Sequence, residues 1–403
     1  MAPDYPERHG IDLPVARRIA SPLLWLIRDK RRAEPDAAEW TRMGLALLKG
    51  DPLADRVVDY FSQVGHREGW GEMEIAAQGR WHELAPDSAV RTLFSHCTHA
   101  PGWVDEDAMA RGAKVVARSG KTGMRILRDF GLMAGYQASA INQTLVKTGA
   151  LEKGAQRRVA ETTKWWMDCT AEGGLTPGAA GFNTTLRVRV IHAMVRERLR
   201  QREDWDAHYL GLPVNQLDMQ VTWLAFSVMF LLGQRVLGVP VTQSEAADVM
   251  ALWRYIGWLM GVDESLLCGS EQEGRVALYR NLLSQAQADG TSIQLARALM
   301  DEPLQRYYGD FQWLRSHWDK QVHLSIIRLF IGSEGMRALG LPGWVVPWYP
   351  MVFTPCNFLA QSVIRLFPGG RDWLARRGRR AQEEMLTILF GSARPDIIQL
   401  AEH

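Results

Sequence analysis

Apolar residues recur at helical spacing from one end of this 403-residue chain to the other, and alternating polar–apolar runs are scarce. A chain patterned in this way has little to build a sheet from, so the expected class is all-α. Helices are expected over residues 12–32, 36–63, 105–119, 121–148, 151–170, 217–235, 243–261, 270–308 and 311–332. The polar, glycine-rich stretch 64–84 reads as a surface loop. The run Val221–Gly233 stops at Gln234 and Arg235, short of the roughly 20 residues a bilayer span needs, and reads as a buried helix. The apolar run Pro22–Ile27 is too short for a secretory signal core and is followed by charge, so a soluble, cytoplasmic protein is expected. Asn215 after Pro213, with Asp218 three residues on, reads as a helix cap. Gly257 and Gly261 lie at a spacing that lets helices cross closely.

Composition excludes several classes. A net charge of +2 supplies no basic field for nucleic acid. Cys97, Cys169, Cys268 and Cys356 are scattered, with no Cys-x-x-Cys spacing, which excludes a disulfide framework and covalent haem c attachment. His96, Cys97 and His99 lack a fourth ligand at metal-site spacing and read as an ordinary helix end. The glycines of 171–183 follow no strand and end in no Gly-Lys-Ser/Thr, so they are a connector rather than a phosphate loop. Sixteen tryptophans favour a large apolar cavity or interface.

The stretch 187–199 carries the clearest chemistry. Val188, Ile191, Val195 and Leu199 form an apolar stripe, His192 stands beside it, and Arg189 and Arg196 fall three residues before and four after. Asn183, Thr184 and Thr185 are candidate caps for this helix. An imidazole flanked by aliphatics and two fixed cations suits a large flat anionic cofactor; a core histidine satisfied by its surroundings has the same spacing.

Five segments resolve that choice by resemblance. They are Pro101-Gly-Trp103-Val-Asp105 with Gly112; Gly149-Ala-Leu followed by Arg157-Arg158-x-x-x-Thr162; Arg187-Val-Arg189-Val-Ile-His192-Ala-x-Val-Arg196; Gly211-Leu-Pro213-x-Asn215-Gln216-x-Asp218; and Trp253-Arg254-Tyr-Ile-Gly257-x-Leu-Met-Gly261. Together, over roughly residues 85–390, they resemble the DUF2236 haem oxygenases, which include latex-clearing rubber oxygenases and MpaB-type oxygenases. The resemblance implies a globin-like helical core around one b-type haem, with additional N- and C-terminal helices. It implies His192 as the proximal iron ligand, Arg158 and Thr162 lining the oxygen-binding side, and Arg189 and Arg196 holding the propionates. Arg328 is a further propionate candidate, or else half of a buried ion pair.

The implied activity is dioxygen-dependent oxidation or cleavage of a C=C bond in an apolar isoprenoid or lipid-like substrate, small or oligomeric. A peroxygenase- or hydroxylase-like enzyme and a non-catalytic haem carrier or sensor remain open alternatives. Two departures stand out. Rubber oxygenases carry a catalytic carboxylate near the position of Asn142, and an amide cannot abstract a proton. Many carry a lysine at the position of Glu161. Residues 1–84 are expected to be N-terminal helices and a loop packed on a haem-binding unit of 85–403. The aromatic stretch 341–353, followed by Arg371, Arg376, Arg377, Arg379 and Arg380, reads either as a buried loop with a solvated helix or as a peripheral membrane contact.

Overall fold

The computed structural model describes residues 5–149 and 154–391. It is 73% helical, and no strand occurs among the described residues. The Ala150-Leu151 pair of the second motif and the expected start of the 151–170 helix lie outside them.

Proline and capping residues set the breaks. The expected helix 12–32 is α1, Leu13–Ala20, ended by tight turns around Pro22. The stretch 36–63 divides into α2, Ala37–Ala46, and α3, Pro52–Val64, with Asp51 capping the second. The expected surface loop is instead largely helical, as α4, His66–Ile75. Gly69 is the reason: a Cβ there would sit 2.2 Å from the Phe61 ring. The glycine that weakens the local helical signal is what lets the helix dock, a tertiary gain no local propensity reports.

Next come α5, Ala89–Thr98; α6, Glu106–Arg118; α7, Gly120–Ile126, which continues through a widened turn to Gly135; and α8, Ser139–Lys147. The middle of the chain is α9, Ala155–Cys169; α10, Ala180–Arg200; and α11, Gln216–Leu224, prolonged to Val236. The remainder is α12, Gln243–Leu259; α13, Glu271–Leu283; α14, Gly290–Asp301; α15, Gln312–Ala338; α16, Trp348–Ile364; and α17, Gly370–Phe390. Reciprocal capping boxes at Asp36/Glu39, Thr242/Glu245 and Ser270/Glu273 start three of these helices. Asn215 accepts the Asp218 N–H at 2.9 Å, the cap its spacing suggested. The expected caps Asn183, Thr184 and Thr185 lie inside α10, which begins at Ala180; Asn183 donates instead to the carbonyls of Ala77 and Gly178.

The centre is α6, held between α12 and α17. Two glycines make that sandwich possible: a Cβ on Gly112 would lie 2.4 Å from the Asp248 carbonyl oxygen, and one on Gly378 would lie 2.1 Å from that of Ala117. Gly257 admits the Trp223 indole, whereas Gly261 turns the chain out of α12 at φ 87°. One apolar core runs from Val57, Phe61 and Met73 through Trp166, Phe182 and Trp253 to Leu389, so the N-terminal helices share it with the rest. Arg254 lies 4.0 Å over the Trp103 ring, joining the first and last of the five motif segments.

The histidine His9 joins the N-terminal segment to this body. Its ring stacks on Trp40 with centroids 3.9 Å apart, Nδ1 lies 2.7 Å from Ser284 Oγ, and Nε2 lies 2.9 Å from the Trp40 carbonyl oxygen. Burial pushes its pKa down to about 4, with Arg8 adding to the effect. The unfolded chain takes up this proton near pH 6.5. Stability is therefore full above that pH and is lost as the pH falls toward 4. The melting temperature should drop across this window, and His9→Gln should shallow the drop. A variant that melts with the wild-type pH profile would refute this role for His9.

Candidate functional site

The helix carrying His192 lies along α9, and the contacts between them set a register. Trp165 Nε1 donates to Thr185 Oγ1 at 3.0 Å, and Cys169 Sγ lies 3.3 Å from the same oxygen. Gly181 is pressed so close that a Cβ would sit 2.7 Å from the Cys169 Cα. On α9, positions 158, 162, 165 and 169 form one stripe; on α10, so do 181, 185, 188 and 192. The pair is antiparallel, with Cys169 at Gly181 and Trp165 at Thr185; further along the two stripes come Thr162 and Arg158 on α9, and Val188 and His192 on α10. The first two levels are tightly closed. At the last two, Val188, Ile191, His192 and Arg158 are half-buried and Thr162 is exposed. The helices meet at one end and leave room at the other.

His192 has the properties of an available ligand. Its Nδ1 is sealed from solvent with no hydrogen-bond partner among the described residues. Burial, aided by the Arg196 charge, pushes its pKa down to about 4, so the ring is neutral at physiological pH. A sealed, unpaired nitrogen costs about 1–3 kcal/mol, and such groups call for an explanation. Coordination of a metal by a neutral imidazole is one.

The two flanking arginines do something other than expected. Arg189 is buried and pairs with Asp51 through both ends of its fork, Nε to Oδ2 at 2.6 Å and Nη2 to Oδ1 at 2.9 Å, and it also donates to the Leu259 carbonyl. Arg196 pairs with Asp55 at 2.9 and 2.7 Å and donates to the Val214 carbonyl. Both guanidiniums expected to hold propionates, Arg189 and Arg196, are thus bound to protein carboxylates, one turn either side of His192 on the same helix face. They fix the helix. Arg328 is half-buried, donates through Nε to the Val345 carbonyl and makes no ion pair among the described residues.

Past the contact with α10, α9 borders a cavity of about 1210 Å3. Arg158, Val159, Thr162, Thr163 and Trp166 line it from α9, and Val221, Phe226 and Met229 from the α11 segment. His192, Arg189 and Arg196 are not among its walls. The volume exceeds the range typical of small-ligand pockets, and most of the lining is apolar. Tyr136 also faces it, its phenol hydrogen-bonded to Arg158 and pushed up by burial. Asn142 is a structural tie: its Nδ2 donates to the Tyr136 carbonyl at 2.7 Å and to Ser292 Oγ at 3.0 Å. Glu161 is taken by Arg157 at 2.8 Å.

Sequence reasoning passed over a charged cluster at one end of this cavity. His323 Nδ1 lies 2.7 Å from Asp129 Oδ2, and its Nε2 lies 3.1 Å from Arg306 Nη2. Arg128 joins Asp129 and Glu302, and Arg306 bridges Glu302 and Asp319. Burial pushes Asp129 up to about 7 against the pull of Arg128. Burial and the surrounding arginines hold His323 well below its ordinary value, so it stays neutral. The signal was present: Arg128-Asp129 and His323 each interrupt an apolar helical run. What was missing was any way to pair residues 194 positions apart. No group of three or more metal-ligating side chains occurs among the described residues.

The body is thus all-helical, with a buried neutral imidazole on α10 and a large, mostly apolar cavity lined in part by α9. Residues 123–352 match the family described as ER-bound oxygenase mpaB/B′/rubber oxygenase, catalytic domain, and the chain belongs to that family. It is 25% identical over 182 residues to the rubber oxygenase of Streptomyces sp. (strain K30), a match that spans 44% of this chain and 44% of that protein. The fold is similar to that of latex clearing protein LCP in the closed state, with a TM-score of 0.57, 18% identity, and 87% of this chain and 93% of that one covered.

The Arg189–Asp51 pair sets a test of what holds α10. Asp51→Ala leaves a buried guanidinium unpaired and should cost about 3–5 kcal/mol in chemical unfolding. A loss below about 1 kcal/mol would show that α10 is positioned by other contacts.

Proposed function

We propose that the protein is a haem b-dependent oxygenase acting on an apolar unsaturated substrate of isoprenoid or lipid-like character. The observation that carries this reading is the unpaired, neutral His192 on α10, the helix packed against α9, whose Arg158 and Thr162 line an apolar cavity of about 1210 Å3. His192 would hold the iron. A bound haem supplies the binding and activation of dioxygen that no amino-acid side chain provides.

The chain's own residues supply position and polarity. Val188 and Ile191 offer aliphatic surface to a flat ring. Arg158, fixed by its hydrogen bond to Tyr136, presents a permanent cation to the cavity, and Thr162 a hydroxyl four residues on. Together they can hydrogen-bond an oxygen-centred charge as it grows. Phe226, Trp166 and Met229 exclude water and hold the hydrocarbon. Cleavage of one C=C bond by one dioxygen places one oxygen atom on each carbon and yields two carbonyls, with no external reductant. The step that relatives route through a carboxylate is not available at Asn142: its Nδ2 is held by Tyr136 and Ser292, and its unpaired Oδ1 is an amide oxygen that cannot serve as a base. Oxygen chemistry without a base at that position is therefore the form this reading takes.

Purified protein should carry a strong haem absorption band, and His192→Ala should remove it. Given short polyprenes, the holoprotein should take up oxygen and release aldehydes or ketones. Arg158→Gln and Thr162→Val should keep the band while slowing oxygen uptake on the order of a hundredfold. Full haem loading in His192→Ala would end the proposed ligation. A red protein that leaves both oxygen and alkene untouched would favour a carrier or sensor.

A further inference from the structure

Helix α16 is built inside out. Across its 17 residues there is no charged side chain. Positions 350, 354, 357, 361 and 364 form one stripe, and this partly polar stripe is the one that meets the body. Pro350 is buried, Thr354 Oγ1 donates to the Val236 carbonyl at 3.4 Å, Asn357 Nδ2 donates to the Leu237 carbonyl at 3.2 Å, and Gln361 is half-buried. The outward face is hydrocarbon: Met351 is 68% exposed, Phe358 52% and Leu359 63%, and the chain runs on to Leu366 at 83%. A solvated helix has the opposite arrangement, and so large an unbroken apolar surface marks a contact.

Charge identifies the partner. The exposed residues Arg371, Arg376, Arg377 and Arg380 open α17, and none makes an ion pair among the described residues. Trp373 stands among them, with Arg377 5.2 Å over its ring. Arg379, which the sequence grouped with them, turns inward to the carbonyls that end α9. Exposed aliphatics flanked by aromatic rings and unpaired guanidiniums match the boundary of an anionic bilayer. A second copy of the chain would bring the same positive charge to a two-fold contact and repel. Spanning is excluded by geometry: 17 residues reach about 25 Å, short of a hydrocarbon core of about 30 Å, and Asn357 ties the helix flat to the body.

The cavity opens beside this surface. Trp318 lines the cavity and packs against Trp348 at the start of α16, centroids 5.2 Å apart, and the exposed Leu314 and Leu329 continue its rim. We propose that α16 and the first turns of α17 seat the protein on an anionic lipid surface, and that the cavity takes its substrate from the lipid phase. The second half of this statement rests on the function proposed above; the first does not.

Co-sedimentation of the full chain with phosphatidylcholine vesicles, with and without phosphatidylglycerol, separates the two. Binding is expected only with phosphatidylglycerol and should weaken with salt. Phe358→Glu with Leu359→Glu should abolish it. Arg376→Ala with Arg377→Ala should weaken it roughly thirtyfold at low salt. All four side chains are exposed, so the melting temperature should hold. Unchanged binding in both variants would overturn the proposal. So would a vesicle-indifferent dimer that Phe358→Glu with Leu359→Glu converts to monomer. Polyprene dissolved in vesicles should be spared by the variants, while detergent-dispersed polyprene is still oxidised. Docking without oxidation in either form would sink the oxygenase reading and leave the docking surface standing.

Discussion

Close packing of α9 on α10 at Gly181 is the constraint on which the rest of this structure hangs. A single missing Cβ lets the Cys169 end of one helix reach the backbone of the other. Thr185 then takes contacts from both Trp165 and Cys169 and fixes the rotation of α10 about its axis. Once that rotation is set, the helical period places Arg189 and Arg196 one turn either side of His192. The Arg189–Asp51 and Arg196–Asp55 pairs lock the same rotation from the far side, tying α10 to the start of α3. The imidazole is left unpartnered because every neighbouring cation is committed elsewhere.

The cavity shows the same division between hydrocarbon and fixed charge. Its walls are mostly apolar, yet one end is built on Arg125, Arg128 and Arg306 set against Asp129, Glu302 and Asp319. Buried charges of this kind persist only when paired and hydrogen-bonded. Here they are, and they pin α15 to the α7 segment and to the end of α14. The cavity therefore has one end fixed by paired charges and walls that are mostly apolar, Trp318 among them.

The five motif segments look alike in sequence but divide by role in space. Asp105, Gly112, Asn215 and Gln216 are caps, crossings and ties: Gln216, for example, donates to the carbonyls of Gly50 and Gly261. Arg254 and Trp103 hold two segments together by stacking. Arg158 and Thr162 line the cavity, and His192 keeps a buried nitrogen without a partner among the described residues. An arginine written into a conspicuous pattern is as readily the strut of a helix as the contact of a ligand, and Arg189 shows that the pattern does not say which.

Sequence alone settled the helical class and about half of the helix starts. Each of these depends on spacing within a few residues or on side chains that cap their own helix. It did not settle the helical nature of 66–75, which Phe61 decides by filling the space Gly69 leaves. Nor did it reveal the carboxylates that claim Arg189 and Arg196, the cluster joining Asp129 to His323, or the outward face of α16. Those are properties of residues brought together from across the chain. A hydrophobic period shows that a helix has an apolar face; only packing determines whether that face turns to the core, to a cavity or to the outside.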